Sequence, residues 1–299
     1  DGDDLQRLRS RADIALQAAK KAGRQNFCLF AQEMEAFVQA QRDLTEDLRH
    51  AVERNELHLA YQPLVSLETG ALTGFEALVR WIHPRRGAIS PEEFIPLAEE
   101  TGLIGMLGDW VLTEACREAS GWPPDIFVSV NLSPVQLRKP NLALDVVRIL
   151  GRFDLSPARL KLEVTETALL ADQRMSRETL TKLKQLGIEI SLDDFGTGFS
   201  SLNHLRLMPL DCIKIDRSFI SDLDGENGAA AIVAAVLSLA RDLKLGTVAE
   251  GIETEAQRDW LRKHGCDAGQ GYLFGRPERA ETARSLICEC SSGATRRWA

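Results

Sequence analysis

The sequence predicts an α/β fold, a (β/α)8 TIM-barrel-like arrangement with an antiparallel first strand. Three observations carry that prediction. From residue 56 onward, short apolar runs alternate with longer amphipathic stretches, the pattern of repeated βα units. The first two apolar runs are separated only by Leu67-Glu68-Thr69-Gly70, a hairpin-like turn that makes them antiparallel, whereas later runs are separated by helices and should be parallel. The strand-like runs also carry polar residues toward their ends, where a barrel of this kind gathers its functional groups.

Taken in order, residues 5–24 read as a helix ended near Gly23, followed by a short strand at 26–30, NFCLF, and a charged helix over roughly 31–55. Strands are expected at 57–66, 72–80, 126–132, 160–165, 188–193, 212–216, 246–250 and 268–272. Ser90-Pro91-Glu92-Glu93 reads as a helix start, with Ser90 capping, Pro91 in the first turn and Glu93 completing a capping box. Element counts alone leave an open, doubly wound sheet as the alternative. The positions of the acids favour the barrel.

The 299 residues are 44% hydrophobic and 27% charged, ordinary for a soluble globular chain. A net charge of −8 argues against a general binder of nucleic-acid polymers or membrane surfaces. It leaves room for a small anionic ligand whose pocket is made positive by a metal or a lysine. Six cysteines without a CxxC pair read as reduced thiols, which points to the cytoplasm. The most apolar helical stretch, residues 229–240, is too short to span a bilayer, although an upstream part could anchor a longer protein to a membrane.

The polar residues fall in seven places: Glu76 and Arg80 in GFEALVRW, Asn131 in VSVNLS, Glu163 and Glu166 in LKLEVTE, Asp193 and Asp194 in EISLDDFG, Lys214 and Asp216 in CIKID, Glu250 and Glu253 in TVAEGIE, and Gln270 in AGQGY. Taken singly, each has an ordinary explanation. An aspartate after a strand is usually a helix cap, a lone lysine usually lies along the surface, and Asn131 or Glu253 would serve the start of the helix that follows. These explanations do not account for Glu76, Glu163 and Asp193 standing among apolar neighbours in strands, where carboxylates are costly to bury unless paired. Arg80 and Lys214 are too few to pair them, so a divalent cation is the simplest answer. Carboxylates and an amide oxygen, without histidine or cysteine, suit Mg²⁺ or Mn²⁺. The neighbouring aspartates point to two ions, one bridged by Asp193 and the second reached by Asp194. Such a pair hydrolyses phosphodiesters, with Lys214 polarising water or stabilising charge on phosphorus.

These motifs, EALVR (76–80), NLS (131–133), EVTE (163–166), DDFGTGFSSL (193–202), KID (214–216), AEGIE (249–253) and QGY (270–272), closely resemble the EAL-domain family of bacterial phosphodiesterases, which linearise cyclic di-GMP to pGpG. The resemblance covers residues 45–285. Residues 1–44 resemble the C-terminal end of a GGDEF domain with a linker helix, and 286–299 form a tail outside the resemblance. The resemblance implies that Glu76, Asn131, Glu163 and Asp193 hold the first metal, that Asp193 bridges to the second, and that Asp194 completes it. It makes Lys214 the contact to the catalytic water, places Glu250 near the second metal and its water, and has Gln270 position the cluster. Glu166 and Glu253 would shape the loop after Asp194. Gln62, Leu78 and Arg80 would line the substrate groove, Arg80 as a phosphate contact. It further implies inhibition by Ca²⁺ and a homodimer through the loop after Asp194. Phe199 stands where the family commonly has tyrosine. No Gly-Gly pair occurs anywhere in the chain, so no synthesis of cyclic di-GMP is expected. The alternative is a catalytically weak cyclic di-GMP receptor or interaction module. Such relatives lack one or more of the acids, and here none is missing.

Overall fold

The computed structural model describes residues 4–21, 27–196, 205, 207–223 and 228–291. Eight strands close into a barrel: β1 (Leu57–Ser66), β2 (Leu72–His83), β4 (Phe127–Leu132), β5 (Leu160–Thr165), β6 (Glu189–Phe195), β7 (Cys212–Ile215), β8 (Gly246–Ala249) and β9 (Ala268–Gln270). Two short strands, β3 (Gly87–Ile89) and β10 (Glu278–Arg279), extend the wall beside β2 and β1. Strand β1 pairs antiparallel with both β2 and β9, and that double pairing closes the sheet and excludes the open, doubly wound alternative. From β2 through β4 to β9 all barrel neighbours are parallel. Their C-terminal ends therefore open on one mouth.

Strands buried on both faces read as continuous apolar runs, and Leu160, Leu162 and Val164 of β5 are fully buried. Helices cover the outside. Beneath Ile104–Ala119, Trp122 packs edge-on to Tyr61 with ring centroids 5.5 Å apart, and against Phe75 at 5.1 Å. At the β8–β9 end the packing is too close for a side chain: a Cβ on Gly271 would lie 2.1 Å from the Ile252 carbonyl oxygen.

Three local expectations are corrected. Residues 27–30 form no strand, since none of the described strands pairs with them, and Phe27 and Leu29 are 82% and 78% exposed. The second helix spans Gln32–Ala51 and ends before Asn55, whose positive φ of 54° turns the chain into β1. At the helix Pro91–Thr101, Ser90 caps by accepting from the Glu92 N–H at 3.3 Å, and the reciprocal bond from Glu93 is not made. Among the described residues no helix is long and apolar enough to cross a membrane, and no disulfide joins any of the six cysteines.

Candidate active site

Alternation along the strands brings the acids inward together. Glu76 lies opposite Gln62 of β1 and Ser129 of β4, Asn131 lies opposite Glu163, and Asp193 lies opposite Thr165. Lys214, the penultimate residue of β7, is fully buried at their centre. Its Nζ lies 2.5 Å from Glu163 Oε2, 2.6 Å from Glu250 Oε1, 3.1 Å from Asp193 Oδ1 and 3.7 Å from Glu76 Oε2. It does not run along the surface.

A chain of amides fixes the carboxylates. Asn131 Nδ2 donates to Glu76 Oε1 at 2.7 Å, and Gln270 Nε2 donates to Glu76 Oε2 at 2.7 Å and to Gln62 Oε1 at 2.9 Å. Gln62 Nε2 in turn donates to the Gly275 carbonyl at 3.2 Å. The Ser129 hydroxyl donates to Glu163 Oε1. Ser129 did not emerge from the motifs, yet it precedes Asn131 by two residues, so strand alternation alone would have placed it on the same face.

The adjacent aspartates depend on a backbone irregularity. In the β6–β7 ladder Leu192 pairs with Ile213 and Phe195 with Ile215, so β6 advances three residues while β7 advances two. The extra residue forms a bulge, and Asp194 takes it up with a left-handed φ of 53°. Regular alternation would send Asp193 and Asp194 to opposite faces of the wall, whereas the bulge brings both to the mouth. Gly196, also left-handed at φ 100°, follows directly, and a Cβ there would lie 2.8 Å from the Phe219 ring.

Electrostatics follow from the crowding. Burial, with Glu76 and Asp193 beside it, pushes Glu163 well above the ordinary carboxylate range. Burial likewise pushes Glu250 up to about 7, although Lys214 opposes the rise. Asp194 is raised by burial, then by Asp193 and Asp216. For Lys214 burial disfavours the charge, but Asp193, Glu163, Glu250 and Glu76 outweigh it and hold the ammonium well above its usual range.

One lysine against five acids leaves an excess of negative charge, and the donor set fits a divalent cation. One oxygen each from Asp193, Asp194 and Glu250 lie within 4.8 Å of one another. Asp193 Oδ1 is buried and, although close to Lys214, makes no hydrogen bond. The donors are all oxygen, which suits a hard divalent cation. Glu250 thus stands with the aspartates, while Glu76 and Glu163 have both oxygens engaged by Asn131, Gln270, Ser129 and Lys214.

Above the acids the mouth opens as a cavity of about 490 Å³, which Gln62, Leu78, Arg80 and Glu253 also line. Glu92, Arg217 and Tyr272, which the motif reading passed over, line it too, and the Arg276 guanidinium sits 4.0 Å over the Tyr272 ring. Arg80 is half-buried, and its guanidinium donates to the Val79 carbonyl at 2.9 Å. Asp216 does what an aspartate after a strand ordinarily does, capping Arg217–Ser221 through the Ser218 N–H. Ser133, not Asn131, caps the helix Pro134–Leu137, and Thr254, not Glu253, caps Glu255–Lys263. Glu166 opens the helix Glu166–Ala171. The loop that Glu166 and Glu253 were expected to shape, with Phe199, lies outside the described residues.

A closed barrel, parallel except for β1, with an acid-rich mouth at the C-terminal ends of the parallel strands defines the class: a barrel with a carboxylate cluster fit to hold a cation. The chain belongs to the EAL domain family, whose model matches residues 45–277. It is 46% identical over 285 residues to the bifunctional diguanylate cyclase/cyclic di-GMP phosphodiesterase MucR of Pseudomonas aeruginosa, covering 94% of this chain and 42% of that protein. It is 40% identical to the cyclic di-GMP phosphodiesterase NbdA of the same organism, covering 93% of this chain and 36% of NbdA. Among solved structures, the MucR phosphodiesterase in complex with c-di-GMP matches with a TM-score of 0.77 at 47% identity, over 81% of this chain and 99% of that one. The EAL domain of Mycobacterium smegmatis DcpA matches with a TM-score of 0.68 at 37% identity, over 78% and 98%. The chain spans less than half the length of the curated relatives it matches.

Proposed function

We propose that the chain is a cyclic di-GMP phosphodiesterase that opens one phosphodiester of the cyclic dinucleotide to give linear pGpG, using two Mg²⁺ or Mn²⁺ ions. The observation that carries this reading is the buried Lys214 ringed by Glu76, Glu163, Asp193 and Glu250, with Asp194 bulged beside them at the mouth of an EAL barrel. Asp193, Asp194 and Glu250 would hold metal directly, with Asn131, Glu76 and Glu163 completing the first site as the family resemblance implies. When bound, the ions would supply Lewis acidity and an activated water for in-line attack.

The chain's own residues do the rest. Gln270, held by Gln62, fixes one oxygen of Glu76 and Asn131 fixes the other, so the carboxylate cannot turn. Lys214 keeps an ammonium beside Glu250 and Asp193, where it orients the attacking water and offsets charge developing on the phosphoryl oxygens. Arg80 stands at the rim to take a phosphate oxygen. Glu166 and Glu253 support the loop after Asp194, through which two copies pair as a homodimer. Ca²⁺, larger and flexibly coordinated, inhibits. The fragment acts in the cytoplasm as the C-terminal part of a longer GGDEF–EAL protein, a reading supported by its likeness to a bifunctional relative more than twice its length.

The test is incubation of purified protein with cyclic di-GMP and Mg²⁺ or Mn²⁺, with the product identified by chromatography. Formation of pGpG that EDTA stops is expected. Binding of cyclic di-GMP without turnover in either metal would replace this reading with that of a receptor.

A further inference from the structure

One side of the rim, formed by β1, β2 and β10, carries charges opposite in sign to the floor. Residues directly opposed in an antiparallel pair share a face, and so do alternate residues along a strand. Gln62, Ala60 and His58 therefore line one face of β1, and Glu76, Leu78 and Arg80 the same face of β2, since Gln62 pairs with Glu76, Ala60 with Leu78 and His58 with Arg80. On the other side of β1, Arg279 of β10 pairs with Ala60 and joins that face. Above the acidic floor, then, Arg279, His58 and Arg80 make a basic row. At roughly 3.3 Å per residue, the His58–Arg80 pair stands about 13 Å beyond the Gln62–Glu76 pair.

Among the described residues, no side chain accepts a hydrogen bond from this row. The Arg279 guanidinium is exposed and makes no hydrogen bond or ion pair among the described residues, and Arg80 donates only to the Val79 carbonyl. Burial, then Arg279 and Arg80, lowers the pKa of His58, so a neutral ring separates the two guanidinium groups. Two arginines on one face, one without an acceptor among the described residues and the other bound only to a backbone carbonyl, await a ligand's acceptors.

We propose that Arg279 binds the acceptor edge, O6 and N7, of the guanine farther from the scissile phosphodiester, and so helps select guanine in the substrate. This rests on the function proposed above. With the scissile phosphate over the acids, the rest of a cyclic dinucleotide extends up the β1–β2 wall, and the distal base reaches the row that the floor residues cannot. A guanidinium fits the two neighbouring acceptors of guanine in bidentate fashion, whereas adenine offers an amino donor in place of O6. Arg80, across β1 from Arg279 and facing Glu76 and Tyr272, remains the phosphate contact.

The experiment compares the parent with Arg279→Ala and Arg279→Lys by titration with cyclic di-GMP and cyclic di-AMP, together with turnover of bis(p-nitrophenyl) phosphate, which has no base. Arg279→Ala should weaken cyclic di-GMP binding about five- to tenfold and cyclic di-AMP binding less than about twofold, with Arg279→Lys between, and should leave the small diester's turnover unchanged. Equal weakening toward both dinucleotides would mark a phosphate contact and overturn the assignment, as would no weakening at all. A parent that neither binds nor cleaves cyclic di-GMP would sink the proposed function and this inference with it. An active parent with an indifferent Arg279→Ala variant would overturn the inference alone.

Discussion

With its ammonium within 3.7 Å of four carboxylates and its side chain only 2% exposed, Lys214 supplies the positive charge that makes so much buried acid tolerable. Removing one partner from a buried ion cluster is costly because the remaining charges stay buried without compensation. In EDTA at neutral pH, Lys214→Met should lose about 3–5 kcal/mol in urea denaturation, and excess Mn²⁺ should restore part of it. Turnover should fall about a hundredfold or more, because the methionine leaves no donor for water or phosphate. Unchanged stability would mean that the carboxylates are neutral without the lysine. Glu250 sets a pH window. Its folded pKa of about 7 lies above the ordinary 4.5, so between those values the folded state holds a proton that the unfolded state has released. Its contribution to stability is therefore present below about pH 4.5 and lost as pH rises to 7. A divalent cation competes with that proton. The rise in melting temperature on adding Mn²⁺ should thus be larger at pH 7.5 than at pH 5.5, and equal shifts would remove Glu250 from the cation site.

The elements that matter most are β6 and the turn leaving it. Three residues of β6 span the space of two on β7, Asp194 absorbs the excess in a left-handed conformation, and Gly196 follows where the Phe219 ring leaves no room for a Cβ. Gly196→Ala would meet both the strained φ and the ring. It should destabilise the protein by about 1–3 kcal/mol in denaturant melts and weaken metal binding through displaced Asp194. Metal affinity equal to the parent's would show that the bulge does not place Asp194. Here the legibility of the sequence reaches its limit. The strands were readable because apolar runs between turn signals admit few alternatives. The bulge was not, since Ser191-Leu192-Asp193-Asp194-Phe195 looks like any strand end until it is paired with β7. Residues 27–30 of NFCLF were misread for the converse reason: their composition is that of a strand, but none of the described strands pairs with them.

At the scale of the molecule, barrel closure turns scattered motifs into one site. Glu76 and Gln270 are 194 residues apart and meet because β1 pairs with β2 on one side and β9 on the other. The inward acids could be anticipated from strand ends and from the family resemblance. The Gln62–Gln270–Glu76 relay and the seat of Ser129 under Glu163 needed the register, and the basic row of Arg279 and His58 needed β10, two residues too short to announce themselves. A structural ion-pair network and a divalent-cation centre would use many of the same residues, and they differ in whether the protein takes up metal. The most direct test is therefore a Mn²⁺ titration of the metal-stripped protein, counting bound ions in the parent and in Asp193→Asn. Two ions per chain in the parent, with at least one lost in the variant, is the expected result. A parent that binds none, or a variant that binds as many as the parent, would contradict the account.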